Sequence, residues 1–255
     1  MSVRKAVRTP VEPAAAAPEA AGAAGRPIGR RLVLGMMGTG VAGVLFGSKA
    51  ADLLERITAP ITSRDGTGFL SLFPVGRFRI YTVTGRLHSR SDADYRLNLG
   101  GAVDAPVTLT LDDLKAMPAT RFTKDFQCVT GWRVHDVKWA GVRLSDLLDK
   151  AGARDGAKGV RFSSFDGTYT ESLTMDQARR ADVIVAYEME GKPVTSAHGG
   201  PVRLYVAPMY GYKSIKWLDT IEVTEPAPRA GYWEVRGYDT DGWIGKSNGR
   251  DDRAV

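Results

Sequence analysis

Hydrophobic and polar residues alternate over short stretches along most of this chain, and that two-residue period predicts β-strands. Residues 159–165 and 169–173 show it on either side of the turn Asp166-Gly167. The continuous hydrophobic run at 183–187 predicts a buried strand. The full set of predicted strands is 78–83, 95–99, 122–128, 159–165, 169–173, 183–187, 202–206 and 217–223.

Hydrophobic spacing typical of helices is confined to three short stretches, 109–117, 144–151 and 175–180. In the first, Thr110 is placed to cap the helix and Asp112 suits its first turn, where a carboxylate interacts favourably with the helix dipole. Strands dominate and no regular βαβ alternation occurs. The pattern therefore predicts an α+β fold with mixed β-sheets and short helices.

Composition places the chain among ordinary soluble globular proteins, with 255 residues, 43% hydrophobic and 25% charged. The net charge of +6 favours an anionic partner. Nucleic acid is not the partner that we expect, because no basic run is interleaved with aromatic residues. Lysines and arginines that face inward and hold a phosphate explain part of the excess charge equally well.

The N-terminal region predicts export. Residues 1–27 are rich in Ala, Pro and Gly, which predicts disorder. Arg30-Arg31 then precedes the apolar run 32–47, and this pair resembles a twin-arginine signal. We expect an exported protein of the periplasm or cell envelope, and leave open whether residues 32–47 are cleaved off or kept as a membrane anchor. The expected organisation is a disordered N-terminus with the signal or anchor at 1–50, a linker at 51–77, the main folded domain at 78–226, and a tail at 227–255 packed on that domain.

The apolar run contains a glycine pattern, Gly38-x-Gly40-x-x-Gly43, that matches a dinucleotide-binding loop. Such a loop needs a following helix, a second strand and an acidic residue at its end. The sequence instead continues into the loop-like stretch 60–68. A nucleotide-dependent dehydrogenase is therefore rejected.

Cys128 is the only cysteine, so it cannot form an internal disulfide or hold an iron–sulfur cluster alone. Three interpretations stay open from the residues: a buried small hydrophobe, a reactive thiol, or a thiolate ligand of a metal. Trp132 and Phe126 supply apolar neighbours, and Gly131 allows close approach of the backbone to a bulky cofactor.

Other catalytic patterns are weak. The three histidines lie far apart, without metal-ligand spacing, and no serine lies in a Gly-x-Ser-x-Gly turn. Two basic segments are more informative: 198–203 carries glycines, a proline and Arg203, and 210–217 carries two lysines and Ser214. Together they are suited to hold a phosphate, although a solvated basic turn is an equally good explanation.

Four runs occur in a characteristic order: 128–142, 186–193, 198–203 and 211–218. In that order they resemble the molybdopterin-binding domain of the sulfite oxidase superfamily, near its bacterial exported members such as methionine sulfoxide reductase catalytic subunits. The resemblance covers about residues 95–225. It implies a sulfite-oxidase-like molybdopterin-binding fold and a molybdenum-molybdopterin cofactor.

The resemblance also implies roles for individual residues. Cys128 becomes the protein's thiolate ligand to molybdenum, and Tyr169 becomes a tyrosine that faces the metal, although a buried strand aromatic is its simpler explanation. The implied contacts to the pterin and its phosphate are His198, Arg203, Ser214, Ile215 and Lys216, with Ser164, Tyr81 and Thr82 matched by position alone.

The function that follows is an exported molybdenum oxidoreductase, which transfers an oxygen atom or electrons at a small substrate. Electrons would pass to or from a separate electron-transfer protein or a quinone, because this sequence has no haem-attachment motif and no cysteines for a cluster. The alternative is an exported module without redox chemistry that binds an anionic ligand in the same pocket.

Overall fold

The computed structural model describes residues 78–246. The predicted signal or anchor at 32–47, the glycine pattern at 38–43 and the whole predicted linker at 51–77 lie outside the described residues. Within 78–246, the helices are all too short or too polar to cross a membrane.

The described chain contains ten strands, three α-helices and three short 3₁₀ turns. The strands are β1 (Leu97–Gly101), β2 (Val107–Leu109), β3 (Thr120–Gln127), β4 (Arg133–Arg143), β5 (Gly159–Ser164), β6 (Thr170–Thr174), β7 (Val183–Met189), β8 (Lys192–Pro193), β9 (Arg203–Val206) and β10 (Leu218–Thr224). The helices are α1 (Leu111–Ala116), α2 (Leu144–Lys150) and α3 (Met175–Ala178). The 3₁₀ turns are Ser196–His198, Gly211–Lys213 and Glu234–Arg236.

The first sheet has five strands in the order β2-β1-β10-β5-β6. Strand β10, the last along the chain, lies at its centre. It pairs in parallel with β1, where Leu99 lies opposite Ile221, and antiparallel with β5, where Phe162 lies opposite Ile221. This sheet is therefore mixed, and its central strand joins two halves that are distant in sequence.

The second sheet is antiparallel, in the order β3-β4-β7-β8, and β9 also pairs with β7. Strands β4 and β7 approach closely at Gly141. A Cβ atom on Gly141 would lie 2.2 Å from the carbonyl oxygen of Val185, so this position requires glycine. The two sheets and three helices confirm the α+β fold with mixed sheets and short helices.

Most predicted elements lie where the hydrophobic pattern indicates. Helix α1 begins after Thr110, whose hydroxyl accepts from the backbone N–H of Asp113, and the Asp113 carboxylate accepts in return from the Thr110 backbone. This reciprocal cap explains why the helix begins there. Leu111 and Leu114 face the core, which also buries Leu144, Leu147 and Leu148 of α2.

The strand predicted at 78–83 is wrong. These residues have no strand pairing and instead lie against a cavity, where Phe78 packs on Phe126 and His198 with ring centroids 5.4 and 4.8 Å apart. Aromatic and β-branched residues suit any half-buried surface, so their strand-like composition is satisfied by packing rather than by a ladder.

The longest strand, β4, was not predicted as a unit, and neither were the short strands β2 and β8. In β4 the alternation is broken by Asp136, which has a positive φ of 54°, and by the register shift between Ala140 and Gly141. The second half of β4 is buried on both faces, so its polar–apolar alternation disappears there.

The chain after β10 returns to the first sheet and packs against it. The Tyr232 N–H donates to the Thr170 carbonyl, and Tyr232 stacks on Tyr169 with centroids 5.5 Å apart. Farther on, the hydroxyl of Tyr212 donates to the Asp239 carbonyl at 2.6 Å. These contacts place the segment 231–238 beside β6 and the 3₁₀ turn Gly211–Lys213.

Candidate active site

A cavity of about 460 Å³ brings together residues from segments that are far apart in sequence. Its walls come from 78–83, 126–132, 198–203, 211–217 and 232–238, with Asp166 and Tyr169. The volume falls within the roughly 300–1,000 Å³ typical of ligand pockets. Aromatic side chains form much of its wall, and a few cationic groups converge on it.

Cys128 lies in this cavity, in a tight turn after β3. Its N–H donates to the Trp132 carbonyl at 2.9 Å, and its carbonyl accepts from the Gly131 N–H at 3.1 Å. Gly131 has φ of 93°, which a side chain would disfavour. The hydroxyl of Thr130 donates to the Cys128 sulfur at 3.3 Å. The turn therefore holds the sulfur at a fixed place, half-buried and next to a donor.

Arg203 is a buried cation without a carboxylate partner among the described residues. It is 2% exposed, and its guanidinium donates to the carbonyls of His198 at 2.7 Å and Ser214 at 2.8 Å. Burial lowers the Arg203 pKa from 12.5 to about 10. A buried charge that is matched only by neutral carbonyls is unfavourable, so this position attracts an anion.

Lys216 is a second cation beside the same cavity. Its ammonium donates to the carbonyls of Ala197 at 3.0 Å and Tyr81 at 3.1 Å. Burial, and then the nearby Arg203, lower the Lys216 pKa to about 8. His198 responds to the same surroundings: burial, Arg203 and Lys216 lower its pKa to about 4, so it is neutral at neutral pH.

Tyr169, at the start of β6, also lines the cavity. Its hydroxyl donates to the Tyr212 carbonyl at 2.6 Å, and burial raises its pKa well above 10. The phenol therefore stays protonated, and its hydrogen already has a partner. It can still accept a hydrogen bond from a group in the cavity.

The other positions implied by the resemblance divide into two groups. Tyr81, Thr82 and Ser214 line the cavity, and the Ser214 hydroxyl accepts from the Val206 N–H at 3.0 Å. Ser164 and Ile215 are not among the lining residues. The Ser164 hydroxyl accepts from the Asp166 N–H at 3.1 Å, and the Ile215 side chain is buried in the main core.

The sequence did not single out several residues that face the cavity. Tyr232, Trp233 and Tyr238 come from the C-terminal segment, which the sequence indicated only as packed on the domain through its aromatics. Trp132, which the sequence indicated as an apolar neighbour of Cys128, also lines the cavity, and its indole nitrogen is buried without a hydrogen-bond partner among residues 78–246. No regular spacing relates the three C-terminal aromatic residues to Cys128, so only the folded chain shows that they belong together.

Comparison with protein families identifies this arrangement. Residues 84–233 match the family model described as the oxidoreductase molybdopterin-binding domain. The chain belongs to this family. The matched range includes the cavity-lining residues between 126 and 233, among them Cys128, Arg203 and Lys216.

Several curated oxidoreductases are similar to this molybdopterin-binding chain. An uncharacterised oxidoreductase, YuiH of Bacillus subtilis, is 37% identical over 56% of this chain and 72% of its own length. The sulfite oxidase of Arabidopsis thaliana is 32% identical over 51% of this chain and 42% of its own length. A catalytic subunit of protein-methionine-sulfoxide reductase, MsrP of Campylobacter jejuni, is 30% identical over 55% of this chain and 52% of its own length.

Among solved structures, the sulfane dehydrogenase SoxCD of Paracoccus pantotrophus has the same fold, with a TM-score of 0.55 and 24% identity. The superposition covers 63% of this chain and 48% of that one. This chain thus spans about half the length of SoxCD and of two of these three relatives. The similarity confirms the sulfite-oxidase-like fold.

The family's cofactor is molybdenum-molybdopterin, and the residues of the cavity fit it. The cofactor brings a phosphate, a pterin ring system and sulfur ligands of its own. Within residues 78–246, Arg203 and Lys216 are cations that lack a carboxylate partner, and the Trp132 N–H lacks an acceptor. Residues 78–246 hold no group of three or more His, Cys, Asp or Glu that could bind a metal unaided. A cofactor that supplies most of the metal's ligands matches this set of side chains.

Proposed function

We propose that this protein is an exported molybdenum oxidoreductase that transfers an oxygen atom or electrons at a small substrate, with Cys128 as its thiolate ligand to molybdenum. The observation that carries the proposal is the position of the chain's single cysteine in the same cavity as Arg203 and Lys216, two cations without carboxylate partners in the described part of the chain. Soft thiolates are suited to metals of this kind, and the cations are suited to a phosphate.

Each group of residues in the cavity has its own proposed role. When bound, the molybdenum-molybdopterin group supplies the two-electron redox chemistry. Arg203 and Lys216 hold the phosphate of the cofactor, and the Trp132 N–H donates to an acceptor on it. Thr130 donates to the Cys128 sulfur and so stabilises its negative charge. The aromatic wall excludes water from the reacting atoms.

Two tyrosines are candidates to hold a proton near the substrate. Tyr169 is the position that the resemblance implied, and its hydroxyl donates to the Tyr212 carbonyl. Tyr238 lines the same cavity from the C-terminal segment. The variants Y169F and Y238F distinguish them. If a tyrosine contacts the substrate, removal of its hydroxyl should lower kcat. If its hydroxyl is only structural, the variant should lose thermal stability more than it loses kcat.

Export and the redox partner rest on the sequence alone. Arg30-Arg31 and the apolar run 32–47 support export, with residues 32–47 either removed or kept as an anchor. These 255 residues have one cysteine, so they cannot hold an iron–sulfur cluster. A separate electron-transfer protein or a quinone would therefore exchange electrons with the site.

The direct test is to measure molybdenum and pterin in the protein made by a host that synthesises the cofactor. We expect about one molybdenum and one pterin per chain in the wild type. C128S should keep the pterin but lose turnover and the absorption of the metal–thiolate bond. Because Cys128 is the only cysteine, a thiol reagent should label cofactor-free protein once and loaded protein not at all.

Thr130→Val provides a matched control, because it removes the hydroxyl that donates to the sulfur but leaves the sulfur itself. It should keep molybdenum and retain part of the activity. Full activity in C128S would refute the ligand role. Binding of an anionic ligand without any metal would favour the alternative, an exported binding module that uses Arg203 and Lys216 but performs no redox chemistry.

A further inference from the structure

Three charged side chains form a buried cluster behind the aromatic wall of the cavity. The side chains of Lys213, Glu171 and Glu234 are 1%, 0% and 2% exposed. The ammonium of Lys213 donates to one carboxylate oxygen of Glu171, to one of Glu234, and to the Ser172 carbonyl. All three of its protons therefore have acceptors.

The second oxygen of each carboxylate is left over. Oε2 of Glu171 and Oε2 of Glu234 are buried and have no donor among the described residues. With both glutamates ionised, the cluster would carry a net charge of −1 in a dry environment, which is strongly unfavourable. The two carboxyl groups are brought together by Lys213, whose ammonium contacts one oxygen of each. One proton between them would give both oxygens a partner and make the cluster neutral.

The electrostatics support this count of protons. Burial raises the pKa of Glu171 well above its usual value, Lys213 opposes that shift, and Glu234 adds to it. The other titratable groups that face the cluster are Tyr169 and Tyr212, whose own pKa values are raised by burial, so both stay neutral. Among the described residues, Lys213 is the only cation that forms an ion pair with either glutamate.

Each member of the cluster lies within two positions of a residue of the cavity wall. Glu171, in β6, follows Tyr169 by two positions, and Lys213 follows Tyr212 directly. Glu234 lies in the 3₁₀ turn Glu234–Arg236, directly after Trp233. The cluster thus joins β6, the turn Gly211–Lys213 and the C-terminal segment at one point.

We propose that Glu171 and Glu234 share a single proton, and that this carboxyl pair, held by Lys213, positions Trp233 and Tyr238 in the wall of the cavity. Without the proton, two carboxylates would repel each other in a site that water does not reach. The stretch 231–238 is the element that would move, because its other contacts with the domain within residues 78–246 are one backbone hydrogen bond, from Tyr232 to Thr170, and the ring contacts of Tyr232 with Tyr169 and of Tyr238 with Tyr212. Beyond it the chain is held more firmly, by backbone hydrogen bonds of Gly242 and Ile244 with residues 208–210. Glu171, Glu234 and Lys213 are therefore positioning residues, which act on the cavity through its aromatic wall.

A proton shared by Glu171 and Glu234 makes the stability of the folded protein decrease as pH rises. A carboxyl group with a raised pKa keeps its proton in the folded protein but loses it on unfolding. Its stabilising effect is complete below the pKa of the unfolded chain, near 4.5, and is lost as pH rises through the raised value. Across that window the equilibrium constant for unfolding should increase up to about tenfold per pH unit from this pair alone.

The variant E171Q tests this directly, because a glutamine amide imitates a protonated carboxyl group. Its N–H can donate to Glu234 while its oxygen still accepts from Lys213. We expect the pH-dependent increase in unfolding to disappear when the full chain is denatured with urea at a series of pH values. The matched control is E222Q, at an exposed glutamate of β10, which should keep the wild-type pH dependence. Equal pH profiles for E171Q and the wild type would overturn the shared proton.

A second measurement needs no variant to fold. The infrared spectrum of the wild-type protein at neutral pH should contain the C=O band of a buried protonated carboxylic acid. Its absence would also overturn the proposal.

The double variant E171Q/E234Q leaves Lys213 without a counter-charge, so the Tyr232 amide should exchange its hydrogen faster than in E222Q. Unchanged exchange would refute the positioning role.

These readouts do not depend on the reaction, so they remain valid even if the proposed function is wrong. One further measurement rests on the proposed function. In E171Q/E234Q the KM for substrate should rise by a larger factor than kcat falls. The single variant E171Q, which imitates the protonated pair, should have the KM of the wild type. If molybdenum is absent but the pH effect is found, the oxidoreductase assignment fails and the carboxyl pair stands.

Discussion

Replacing Arg203 with methionine separates cofactor binding from stability. Arg203 is the first residue of β9 and lines the cavity. It is 2% exposed and donates to the carbonyls of His198 and Ser214. Methionine fills a similar volume without a charge, and the rings of Phe126 and Trp139 already lie 5.4 and 5.6 Å from the guanidinium carbon. The variant therefore removes a cation from a site whose walls suit an apolar side chain.

Two opposing effects set the magnitude for the cofactor-free protein. The fall of the Arg203 pKa from 12.5 to about 10 corresponds to about 3 kcal/mol of unfavourable free energy, at about 1.4 kcal/mol per pKa unit. R203M relieves that cost, but it leaves the two carbonyls without a donor, at about 1–3 kcal/mol each. The free energy of unfolding should therefore change by less than about 3 kcal/mol. Two charge-assisted hydrogen bonds to a phosphate, at about 1.5–3 kcal/mol each, would be lost entirely, so cofactor affinity should fall at least about 100-fold.

The assay combines urea denaturation of cofactor-free protein with pterin and molybdenum analysis after loading. The matched control is R90M, at an arginine that already has a carboxylate partner, Asp219, at 2.6 Å. We expect R90M to load normally and to lose about 1 kcal/mol of stability or less. Normal loading of R203M would refute the assignment of Arg203 to the phosphate. A loss of stability far above 3 kcal/mol would show instead that the guanidinium is mainly structural.

The remaining predictions concern Lys216 and Gly141. Because the Lys216 pKa is about 8, binding of inorganic phosphate to the cofactor-free protein should weaken as pH rises through 8, where the ammonium loses its charge. Titration calorimetry measures this, and the dependence should vanish in K216M; a flat profile in the wild type would contradict it. G141A should destabilise the protein by at least about 2 kcal/mol in urea denaturation, because its Cβ would lie 2.2 Å from the Val185 oxygen. G156A is the control: its Cβ meets nothing within 4 Å, so a comparable loss there would attribute the effect to glycine replacement in general.

Much of the fold was predictable because local chemistry and tertiary structure agree. Thr110 caps α1 as expected, and the alternation in β5 survives because one of its faces is more exposed than the other. The hydrophobic pattern does not predict the structure where contacts between distant segments replace local ones. Residues 78–83 have strand composition but pack on a cavity, and β4 has no alternation where both its faces are buried.

The site was predictable only in part. Cys128 and the cations at 203 and 216 belong to runs whose order along the chain carried the resemblance, and the structure brings them into one cavity. Ser164 was matched by position and Ile215 by its motif, yet neither lines the cavity. Trp233 and Tyr238 could not be found this way, because a return of the chain from beyond β10 leaves no periodic pattern in the sequence.

The order of strands in the first sheet determines when this domain can fold. Strands β2 and β1 connect to β5 and β6 only through β10, which spans Leu218–Thr224. A growing chain that ends before Leu218 has two half-sheets and nothing to join them, so the domain completes its folding only after most of it has been synthesised. Lys216 lies two residues before β10, and the cofactor site therefore forms late as well, together with the centre of the sheet.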